Sequence, residues 1–548
     1  MQPLLFFACV AVPVSIYILT FLNEVKRRKH DKRQFPGPTL LPFIGRVHDL
    51  VSLTIQYMWT KFQEWAHIYG PIYYTEMLGT KFIIVSDEGI AADLLIKRAK
   101  TNSDRPKVPS LFDPKNEYLP LMGRNKYWAR QRKFTHSYLT QGHNAQYYGL
   151  MEYECKRYLY RLLTDEKNFM FALEDMAAKV MTSLLWDDHT HSVELTPSAW
   201  GLLTQMSPAG PITNVITPLW NYLPRVINPW KRAEIIRHDV QEAWWLKRLQ
   251  EVRQQMELGI ARPSFTRQYL ESEKTSSLDG DTEASKALGM MALVGVFTVA
   301  GPLYYFLLSM IHHPLVQQKA QEEIDTVLEG KAPTLSDMPK LPYLRAVICE
   351  VMRWKPNVPT GVAHEVEADQ EYNGCFIEKG TRILPLDIAF LRNPVKYPDP
   401  ENFRPERWVE KGWPTYQEPL TQYPNVRTLT SFGWGHRQCL GMSVTQDELF
   451  VACGNVLWGF NLKKKIDPKT GLELDAPLDK SNSLLIIKPD PWEMAFHPRS
   501  HEKARKILTD WVDVEYEAIQ AKEEFVRENS RKNSPMSESP QTPSTPVG

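Results

Sequence analysis

Net charge, cysteine and glycosylation acceptors are all scarce in this sequence of 548 residues. The 65 lysines and arginines nearly balance the 64 aspartates and glutamates, so no charge excess points to nucleic acid as a partner. The six cysteines are scattered, which excludes the close pairs of a zinc site and the dense spacing of a disulfide framework. The sequence also contains no Asn-x-Ser/Thr acceptor. The cysteine pattern and the missing acceptor both fit a reducing, cytosolic environment for the main body of the chain.

Charged residues are also absent from Leu4 to Leu22, and this apolar run predicts a membrane anchor. Its length approaches the roughly 20 apolar residues that cross a bilayer as a helix. Six lysines and arginines follow within residues 26–33 and none precedes the run, so the positive-inside bias leaves the C-terminal body in the cytosol. A cleaved signal peptide is the alternative, but the run is long and lacks a preceding basic segment. We expect a transmembrane anchor over residues 1–24 and a basic, proline-rich hinge over residues 25–38.

A second uncharged run covers residues 287–311 and also has the length of a membrane span. Charged helical sequence flanks it, and it contains Gly295, Gly301 and Pro302. A helix that is apolar on all sides suits the centre of a large soluble core equally well. We therefore expect a buried core helix here rather than a second membrane span.

The main body, residues 39–522, has the pattern of a mainly α domain with small β-sheets. Helical periodicity is clearest over residues 233–257, 317–328 and 345–354. Short strands are predicted over residues 81–86, 381–384 and 484–488.

Two further segments are expected to lack regular structure. Residues 199–229 hold several prolines and aromatic residues, which indicates a loop-rich cover. Residues 523–548 become rich in serine, proline, threonine and charged residues, a composition that cannot bury a core and predicts a disordered tail.

A glycine-rich loop over residues 431–441 carries the strongest chemical signal, and Cys439 is its one cysteine. A thiolate that binds haem iron needs backbone amides near its sulfur, and glycines allow such a close approach. The amphipathic helix predicted after the loop would place its N-terminus near the anionic sulfur and stabilise it. Arg437 is close enough in sequence to reach a haem propionate as a charge-assisted partner.

This loop resembles the cysteine signature of the cytochrome P450 superfamily, Phe-x-x-Gly-x-Arg-x-Cys-x-Gly. The sequence matches the signature at five positions, which are Phe432, Gly435, Arg437, Cys439 and Gly441. The resemblance implies the cytochrome P450 fold, haem b as the cofactor and Cys439 as the axial ligand of the haem iron. A structural loop with a buried free cysteine is the alternative interpretation.

Two further motifs occur in the order that this family shows. The first is Glu350-x-x-Arg353, a spacing that on its own usually marks an exposed helical pair. The second is a Pro-Glu-Arg segment that ends at Arg407. The resemblance implies that Glu350, Arg353 and Arg407 form a buried ion triad that supports the haem-side core.

Two other positions resemble haem-propionate contacts of the family. Trp128 and Arg132 are four residues apart, which puts both on one face of a helix. The resemblance implies that this pair contacts a propionate, and a plain basic helix surface is the alternative. His364 resembles a propionate-binding position of fungal members, although a lone histidine is more often a surface or core residue.

The oxygen-activating helix departs from the family pattern of Ala/Gly-Gly-x-Asp/Glu-Thr. The matching stretch keeps Gly295, which would leave room for dioxygen, and Thr298, but Phe297 stands where the family has a carboxylate. In the family, that acid and the threonine relay protons during oxygen activation. Phenylalanine has no ionisable group and cannot relay a proton. Pro302 cannot donate to the carbonyl of Thr298, so the sequence predicts a helix that opens there and admits ordered water.

Three functions remain open on this basis. The first is a monooxygenase that inserts one oxygen atom from O2 into an apolar small molecule, as a tailoring step of fungal secondary metabolism. The second is a changed reaction class, such as desaturation, oxidative coupling or rearrangement, because Phe297 replaces the acid. The third is a haem-binding or lipid-binding protein without catalysis, against which the survival of Cys439 and Thr298 speaks.

The resemblance also implies partners and a location. A cytosolic body on an endoplasmic reticulum anchor resembles members that receive NADPH electrons through NADPH–cytochrome P450 reductase. The candidate contacts for that reductase on the basic face are Arg130, Lys133 and Lys355. The candidate linings of an apolar substrate pocket are Val294, Phe297, Val362 and residues 110–121.

Overall fold

The structure is a computed structural model, and it describes most of the chain between residues 34 and 532. Within that span the description omits residues 42–43, 47–48, 50–56, 114–116, 145–147, 208–225 and 227. Before position 34 the structure describes Ser15, Ile18, Leu19 and Leu22 alone, so the rest of the predicted anchor over residues 1–24 and the basic part of the hinge lie outside the described residues.

Helices make up most of the described chain. In chain order they are α1 (Met58–Tyr69), α2 (Glu88–Ala92), α3 (Lys126–Asn144), α4 (Tyr148–Thr164), α5 (Phe169–Trp186), α6 (Ser192–Met206), α7 (Pro229–Glu257), α8 (Phe265–Glu271), α9 (Gly280–His312), α10 (Pro314–Leu328), α11 (Pro342–Trp354), α12 (Asp387–Leu391), α13 (Met442–Gly459) and α14 (His501–Lys532). The predicted helices over residues 233–257, 317–328 and 345–354 fall within α7, α10 and α11.

Three small sheets accompany the helices in the described part of the chain. Their strands are β1 (Ile72–Met77), β2 (Thr80–Val85), β3 (His364–Glu365), β4 (Gln370–Tyr372), β5 (Cys375–Ile377), β6 (Arg382–Pro385), β7 (Phe460–Lys464) and β8 (Met494–Pro498). The largest sheet has the order β1-β2-β6-β3, in which β2 and β6 run parallel. The predicted strands at 81–86 and 381–384 correspond to these two neighbours.

The strand predicted over residues 484–488 was wrong, because side chains satisfy this backbone in place of a partner strand. The amides of Leu484 and Lys488 both donate to the Asn482 side chain, at 3.3 and 3.2 Å. The amide of Leu485 donates to the Ser207 hydroxyl at 2.9 Å. The bonds to Asn482 are local and the bond to Ser207 comes from a distant residue, and both kinds replace the bonds of a sheet ladder, so the segment is irregular.

The long apolar helix α9 lies in the centre of the protein. Among the described residues it is the one helix long and apolar enough to cross a membrane, and 83% of its most apolar stretch is buried inside the protein. It packs against α5, α6, α7 and α13. The predicted core helix over residues 287–311 is confirmed, and α9 forms one wall of the internal cavity described below.

Two predicted irregular segments are helical in part. Residues 199–206 belong to α6, where Ala199, Leu202 and Leu203 are fully buried and hold the helix against the core. The rest of that predicted cover lies mostly outside the described residues. Helix α14 continues through residues 523–532, which contain three glutamates and two arginines, both strong helix formers, so the tail predicted from residue 523 begins too early.

Candidate active site

The loop around Cys439 opens onto an internal cavity just before α13. The backbone N–H of Cys439 donates to the Phe432 carbonyl at 2.8 Å, which closes the loop around the sulfur. The thiol lines the cavity, and burial by the surrounding protein raises its pKa. A hydrogen bond from the Gly441 N–H and the positive charge of Arg132 oppose that rise. A backbone hydrogen bond and a nearby positive charge both stabilise the thiolate form of a cysteine, which is the form that binds a metal cation.

Gly435 of the cysteine loop lies against the backbone of a π-helical turn, Asp93–Lys97. Its φ of 52° belongs to the left-handed region, and a Cβ at this position would lie 2.1 Å from the Leu95 carbonyl oxygen. Only glycine can meet both demands. The signature glycine therefore fixes the height of the loop over the neighbouring backbone and so the position of Cys439.

Three arginines, Arg105, Arg132 and Arg437, line the same cavity. The Nε of Arg437 donates to the Ser103 carbonyl at 2.7 Å, while its two terminal nitrogens are buried without a hydrogen-bond partner among the described residues. Its guanidinium lies 4.4 Å from the centre of the Trp128 ring. Arg132 lies on the same face of α3 as Trp128 and donates to the Gln438 carbonyl at 3.0 Å.

Burial and mutual repulsion weaken the hold of these arginines on their protons. The pKa of Arg105 is lowered to about 9, mainly by burial and further by Arg437 and Arg132. The pKa of Arg437 is lowered to about 10, again mainly by burial. His364 lines the cavity as well, donates from Nδ1 to the Asn102 carbonyl at 2.9 Å, and has a pKa held well below its usual value by burial, Arg105 and Arg437.

This set of donors fits an anionic ligand such as the propionates of haem. Buried guanidinium nitrogens without partners are costly, and carboxylates satisfy them with charge-assisted bonds. Trp128, Arg132, His364 and Arg437 were predicted from the sequence for this role, and the structure brings them together. Arg105 was missed, because it lies in an irregular segment where no spacing points to it and only the fold carries it beside Arg437.

The structure brings the predicted triad together as one buried cluster. Glu350, Arg353 and Arg407 have fully buried side chains. Arg353 donates to both Glu350 oxygens at 2.9 and 2.7 Å, and Arg407 donates to one of them at 3.1 Å. Trp408 adds an indole N–H bond to Glu350 at 2.9 Å, a contact that the motif alone did not indicate. The cluster ties α11 to the segment that carries Arg407.

The predicted oxygen-activating stretch of α9 faces the cavity with Thr298 and Phe297. The Thr298 hydroxyl donates to the Val294 carbonyl at 2.7 Å, and Phe297 is 1% exposed beside the Trp200 ring. Gly295 also borders the cavity, but a Cβ there would lie 2.5 Å from the sulfur of Met181. The glycine therefore allows Met181 to pack closely against α9 at this position.

The predicted opening of α9 at Thr298 was wrong, because an amide occupies the carbonyl that Pro302 leaves free. Helix α9 is continuous through this region. The Asn357 side chain donates to the Thr298 carbonyl at 3.1 Å. Gly301 makes room for this contact, since a Cβ there would lie 1.9 Å from the Asn357 oxygen. Asn357 thus takes the place that the sequence assigned to water.

The remaining cavity wall is mainly apolar. The predicted residues Val294, Phe297 and Val362 line it, and among the described residues of the predicted segment 110–121 those that do so are residues 118–121. Further apolar wall comes from residues that carry no motif, which are Leu202, Met206, Met290, Met291, Leu485 and Ile486. Such a wall suits an apolar small molecule, with charge confined to the arginine side.

Two of the three predicted reductase contacts are engaged in ion pairs. Arg130 pairs with Glu283 at 2.7 Å, and Lys355 pairs with Asp479 at 2.7 Å. Lys133 is exposed. Arg132, its neighbour in the chain, lines a surface depression whose other basic lining residues are Arg124, Lys126 and His436. We call this the basic depression, and it adjoins the loop that carries Cys439.

Comparisons with known proteins agree with this geometry. The family model described as Cytochrome P450 matches residues 35–489. The cytochrome P450 monooxygenase virE of Hypocrea virens is 30% identical, with 91% of each chain covered. The monooxygenase claR of Ampulloclitocybe clavipes is 31% identical over 85% of this chain and 86% of its own, and fogE of Aspergillus ruber is 28% identical over 92% and 93%. The mainly helical chain with small sheets therefore belongs to the cytochrome P450 family and is a monooxygenase.

Proposed function

We propose that this enzyme inserts one oxygen atom from O2 into an apolar small molecule, as a tailoring step of fungal secondary metabolism. The observation that supports the proposal is that Cys439 and Thr298 line the same cavity, whose wall is mainly apolar. The fungal relatives named as monooxygenases support the organismal setting. Because the arginines on one side of the cavity would bind the propionates of haem, the substrate is expected to lie on the apolar side.

The residues that would hold haem b divide into two groups. Cys439 would bind the iron as a thiolate, and Arg105, Arg132, Arg437, Trp128 and His364 would hold the propionates. When bound, haem supplies the oxygen activation of this family. The Gly441 N–H hydrogen bond limits the basicity of the sulfur, and the Phe432 carbonyl fixes the backbone of the cysteine. The apolar wall excludes water and orients the substrate.

A changed reaction class is the second candidate, and Phe297 favours it. Phe297 cannot relay a proton, and Asn357 rather than water bonds the Thr298 carbonyl. Both features limit proton delivery along α9, as suits a desaturation, an oxidative coupling or a rearrangement. Retention of Thr298 and of the full cysteine loop favours ordinary oxygen insertion.

Deletion of the gene in its source organism, with labelled dioxygen supplied to the wild type, separates the two candidates. Metabolites are compared by accurate mass. A lost product that exceeds the accumulated precursor by one labelled oxygen atom supports oxygen insertion and identifies the substrate. A pair that differs by two hydrogens, or that has equal mass, overturns the proposal in favour of the changed reaction class.

The electron supply and the location are part of the same proposal. Electrons from NADPH would arrive through NADPH–cytochrome P450 reductase at the basic depression, with Lys126 and Lys133 as exposed contacts. The apolar run over residues 4–22 would anchor the enzyme in the endoplasmic reticulum membrane with its body in the cytosol. Fractionation of the full chain and of a chain without residues 1–24 tests the anchor, and equal release of both from membranes would contradict it.

A further inference from the structure

A turn over residues 117–121 forms part of the cavity wall, and buried charges hold it from outside. Its residues 118–121 line the cavity. At its start, the fully buried carboxylate of Glu117 accepts hydrogen bonds from His238 of α7 and, at 2.5 Å, from Lys286 of α9. Helices α7 and α9 pack against each other, so both donors come from one packed unit. The position of this part of the cavity wall therefore depends on the charge state of these groups.

Two arginines hold the turn at other points. Arg237 of α7 donates to the Tyr118 hydroxyl at 2.7 Å, and the Nε of Arg105 donates to the Pro120 carbonyl at 3.1 Å. Both arginines are charged at neutral pH, so these contacts persist there whatever the state of the groups at Glu117. The start of the turn is the part that a change of protonation can release.

His238 lies between two carboxylates. It is 2% exposed, its Nε2 bonds to Glu117, and its Nδ1 bonds to Asp239 at 3.0 Å. A neutral imidazole has one N–H and one lone pair, so only the imidazolium can donate to both carboxylates. Loss of the proton would set a lone pair against one carboxylate and remove the charge assistance from the other bond. We call Glu117, His238, Asp239, Glu242 and Lys286 the Glu117 cluster, in which Lys286 also pairs with Glu242 at 3.1 Å.

The charges around His238 favour its protonated form. Burial acts to lower the pKa of His238, but its bonds to Glu117 and Asp239 and the charge of Glu242 outweigh burial and raise that pKa above 6.5. Burial acts to raise the pKa of Glu117, and bonds from His238 and Lys286 outweigh it and lower that pKa below 4.5. Further charged groups around the cluster are Asp113 on the chain before the turn and Glu234 and Arg237 on α7.

These two shifts define the pH range in which the cluster is fully formed. The contribution of His238 is full below its unfolded pKa of 6.5 and is lost as the pH rises through its higher pKa in the folded state. The contribution of Glu117 is full above its unfolded pKa of 4.5 and is lost as the pH falls through its lower folded pKa. The cluster is therefore strongest between these two values and weakens as the solution becomes alkaline.

We propose that the Glu117 cluster is a pH-sensitive latch, which holds the turn over residues 117–121 against the cavity while His238 is protonated. At alkaline pH, His238 releases its proton to solvent past Asp239, whose side chain is 65% exposed. Glu117 then loses one of its charge-assisted bonds, and the turn moves away from the cavity more often and admits apolar molecules faster. Lys286 keeps its bond to Glu117, so the turn loosens without unfolding. The inference concerns entry into the cavity and does not depend on the class of reaction.

Hydrogen–deuterium exchange of the haem-loaded full chain measures the latch directly. The Leu121 amide donates to the Tyr118 carbonyl at 2.8 Å within the turn and reports its opening. After correction for the intrinsic pH dependence of exchange, opening in the wild type should become about tenfold more frequent or more between pH 6 and pH 8.5, because a bond to a charged group is lost. In His238→Gln, protection should be low at both pH values.

The matched control is His191→Gln. His191 is also surrounded by charged groups, which are Asp188, Glu194, Arg248 and Glu251, and none of the bonds that the structure describes for it reaches the turn. Its exchange profile should be that of the wild type. Equal protection of the wild-type turn at pH 6 and pH 8.5 would overturn the proposal.

Asp239→Asn separates a latch from a merely structural cluster. The substitution changes a mostly exposed side chain, so the buried bonds of Glu117 remain. Loss of this negative charge lowers the pKa of His238, and the midpoint of the exchange profile should move to lower pH. A structural role of His238 predicts no such shift. A midpoint equal to that of the wild type would contradict the latch, even where His238→Gln does not fold.

Ligand entry gives a second measurement. The probe is n-butyl isocyanide, which is apolar, does not titrate in this range and binds haem iron, so stopped-flow absorbance reports how fast it enters. The entry rate should rise with pH at the midpoint found by exchange, and it should be high at both pH values in His238→Gln. An entry rate that is independent of pH would overturn the proposal. If these profiles hold while the wild type inserts no labelled oxygen, the proposed function alone is wrong.

Discussion

Arg105 is the residue that adds most to the predicted haem contacts. Its side chain donates to the carbonyls of Pro120, Val362 and Ala363, at 3.1, 3.1 and 2.5 Å, so its guanidinium is held in a fixed position on the cavity wall. A fixed cation loses little entropy when an anion binds it. Arg105 is therefore expected to contribute to haem retention as much as the arginine of the cysteine motif does.

Replacement of Arg105 by glutamine should weaken haem binding. Hydrogen bonds to charged groups contribute about 1.5–3 kcal/mol, which corresponds to haem loss that is roughly 10-fold to 100-fold faster. The rate of haem transfer to an excess of a haem-accepting protein measures this effect. Arg427→Gln, at an exposed position outside the cavity, is the control. Equal rates for the two variants would remove Arg105 from the propionate site.

Asp387 gives the site a pH dependence of known sign. It is buried beside the cysteine loop, where the hydroxyls of Thr430 and Ser431 donate to it, and burial raises its pKa to about 6. Between about pH 4 and pH 6, the Asp387 carboxyl is therefore protonated in the folded state and ionised in the unfolded chain. Its contribution to stability is full below pH 4, near the unfolded pKa, and is lost as the pH rises towards 6.

Asp387→Asn should remove that dependence. A rise of the pKa from 3.8 to about 6 corresponds to about 3 kcal/mol, so the wild type should lose about that much stability relative to the variant between pH 3 and pH 7. Denaturant unfolding of both proteins at several pH values measures the difference. Parallel stability curves would show that Asp387 does not titrate in this range.

Helix α9 shows how a defect in one element is repaired by a neighbouring segment. Pro302 leaves the Thr298 carbonyl without its helical donor, and Asn357, which follows α11, supplies the missing bond. The sequence predicted the defect, because proline chemistry is local. It could not predict the repair, because the two residues meet only through the packing of α9 against α11.

Asn357→Ala should destabilise the protein by about 1–3 kcal/mol, because it leaves a buried carbonyl unsatisfied. Pro302→Ala restores the helical N–H, so the same asparagine substitution should cost less in that background. A double-mutant cycle of unfolding free energies measures the coupling. Additive effects of the two substitutions would mean that the asparagine does not replace the helical donor.

The Glu350 cluster holds two elements together rather than taking part in the chemistry. The pairing of Glu350 with Arg353 was predicted because the motif resembles the family's, and the one-turn spacing is compatible with it, whereas the contact of Trp408 follows only from the fold. Within such a cluster, the loss of one member leaves the others charged and unpaired.

Glu350→Gln should therefore destabilise the fold by about 3–5 kcal/mol, the range seen when one partner of a buried ion pair is removed. Thermal or denaturant unfolding of the haem-loaded protein measures the loss. Asp510→Asn removes a carboxylate from an exposed pair with Lys506 and serves as the control, with a change near zero. A similar small change in Glu350→Gln would mean that the cluster is not a structural tie.

On the scale of the whole molecule, what the sequence revealed depends on how far apart in the chain the contributing residues are. The cysteine loop, the helical pair of the triad and the core helix are each contiguous in the chain. The core helix was predicted from its local composition, and the loop and the pair from contiguous motifs that resemble the family's. Arg105, Asn357 and the irregular segment 484–488 depend on contacts between distant parts of the chain. Local propensity is overruled at such positions by tertiary partners.

Electron transfer involves the whole molecule, because electrons would enter at the basic depression on the surface and be used in the internal cavity. Lys126→Glu with Lys133→Glu should slow reduction of the haem by the reductase and reduce its dependence on salt, because both lysines are exposed. Stopped-flow reduction measures the rate. Arg130→Gln is the matched comparison, since its partner Glu283 already neutralises it and the rate should change little. A larger effect at Arg130 would shift the docking surface.

The three cavity arginines also bear on how the cell makes this protein. Without an anion between them, Arg105, Arg132 and Arg437 repel one another inside a buried wall, which lowers the stability of the newly synthesised apoprotein. A ligand that binds only the folded chain stabilises it in proportion to its concentration. Chains that obtain haem are thereby preserved, and chains that do not remain open to proteolysis. The charges that orient the cofactor would thus couple enzyme abundance to the haem supply of the cell.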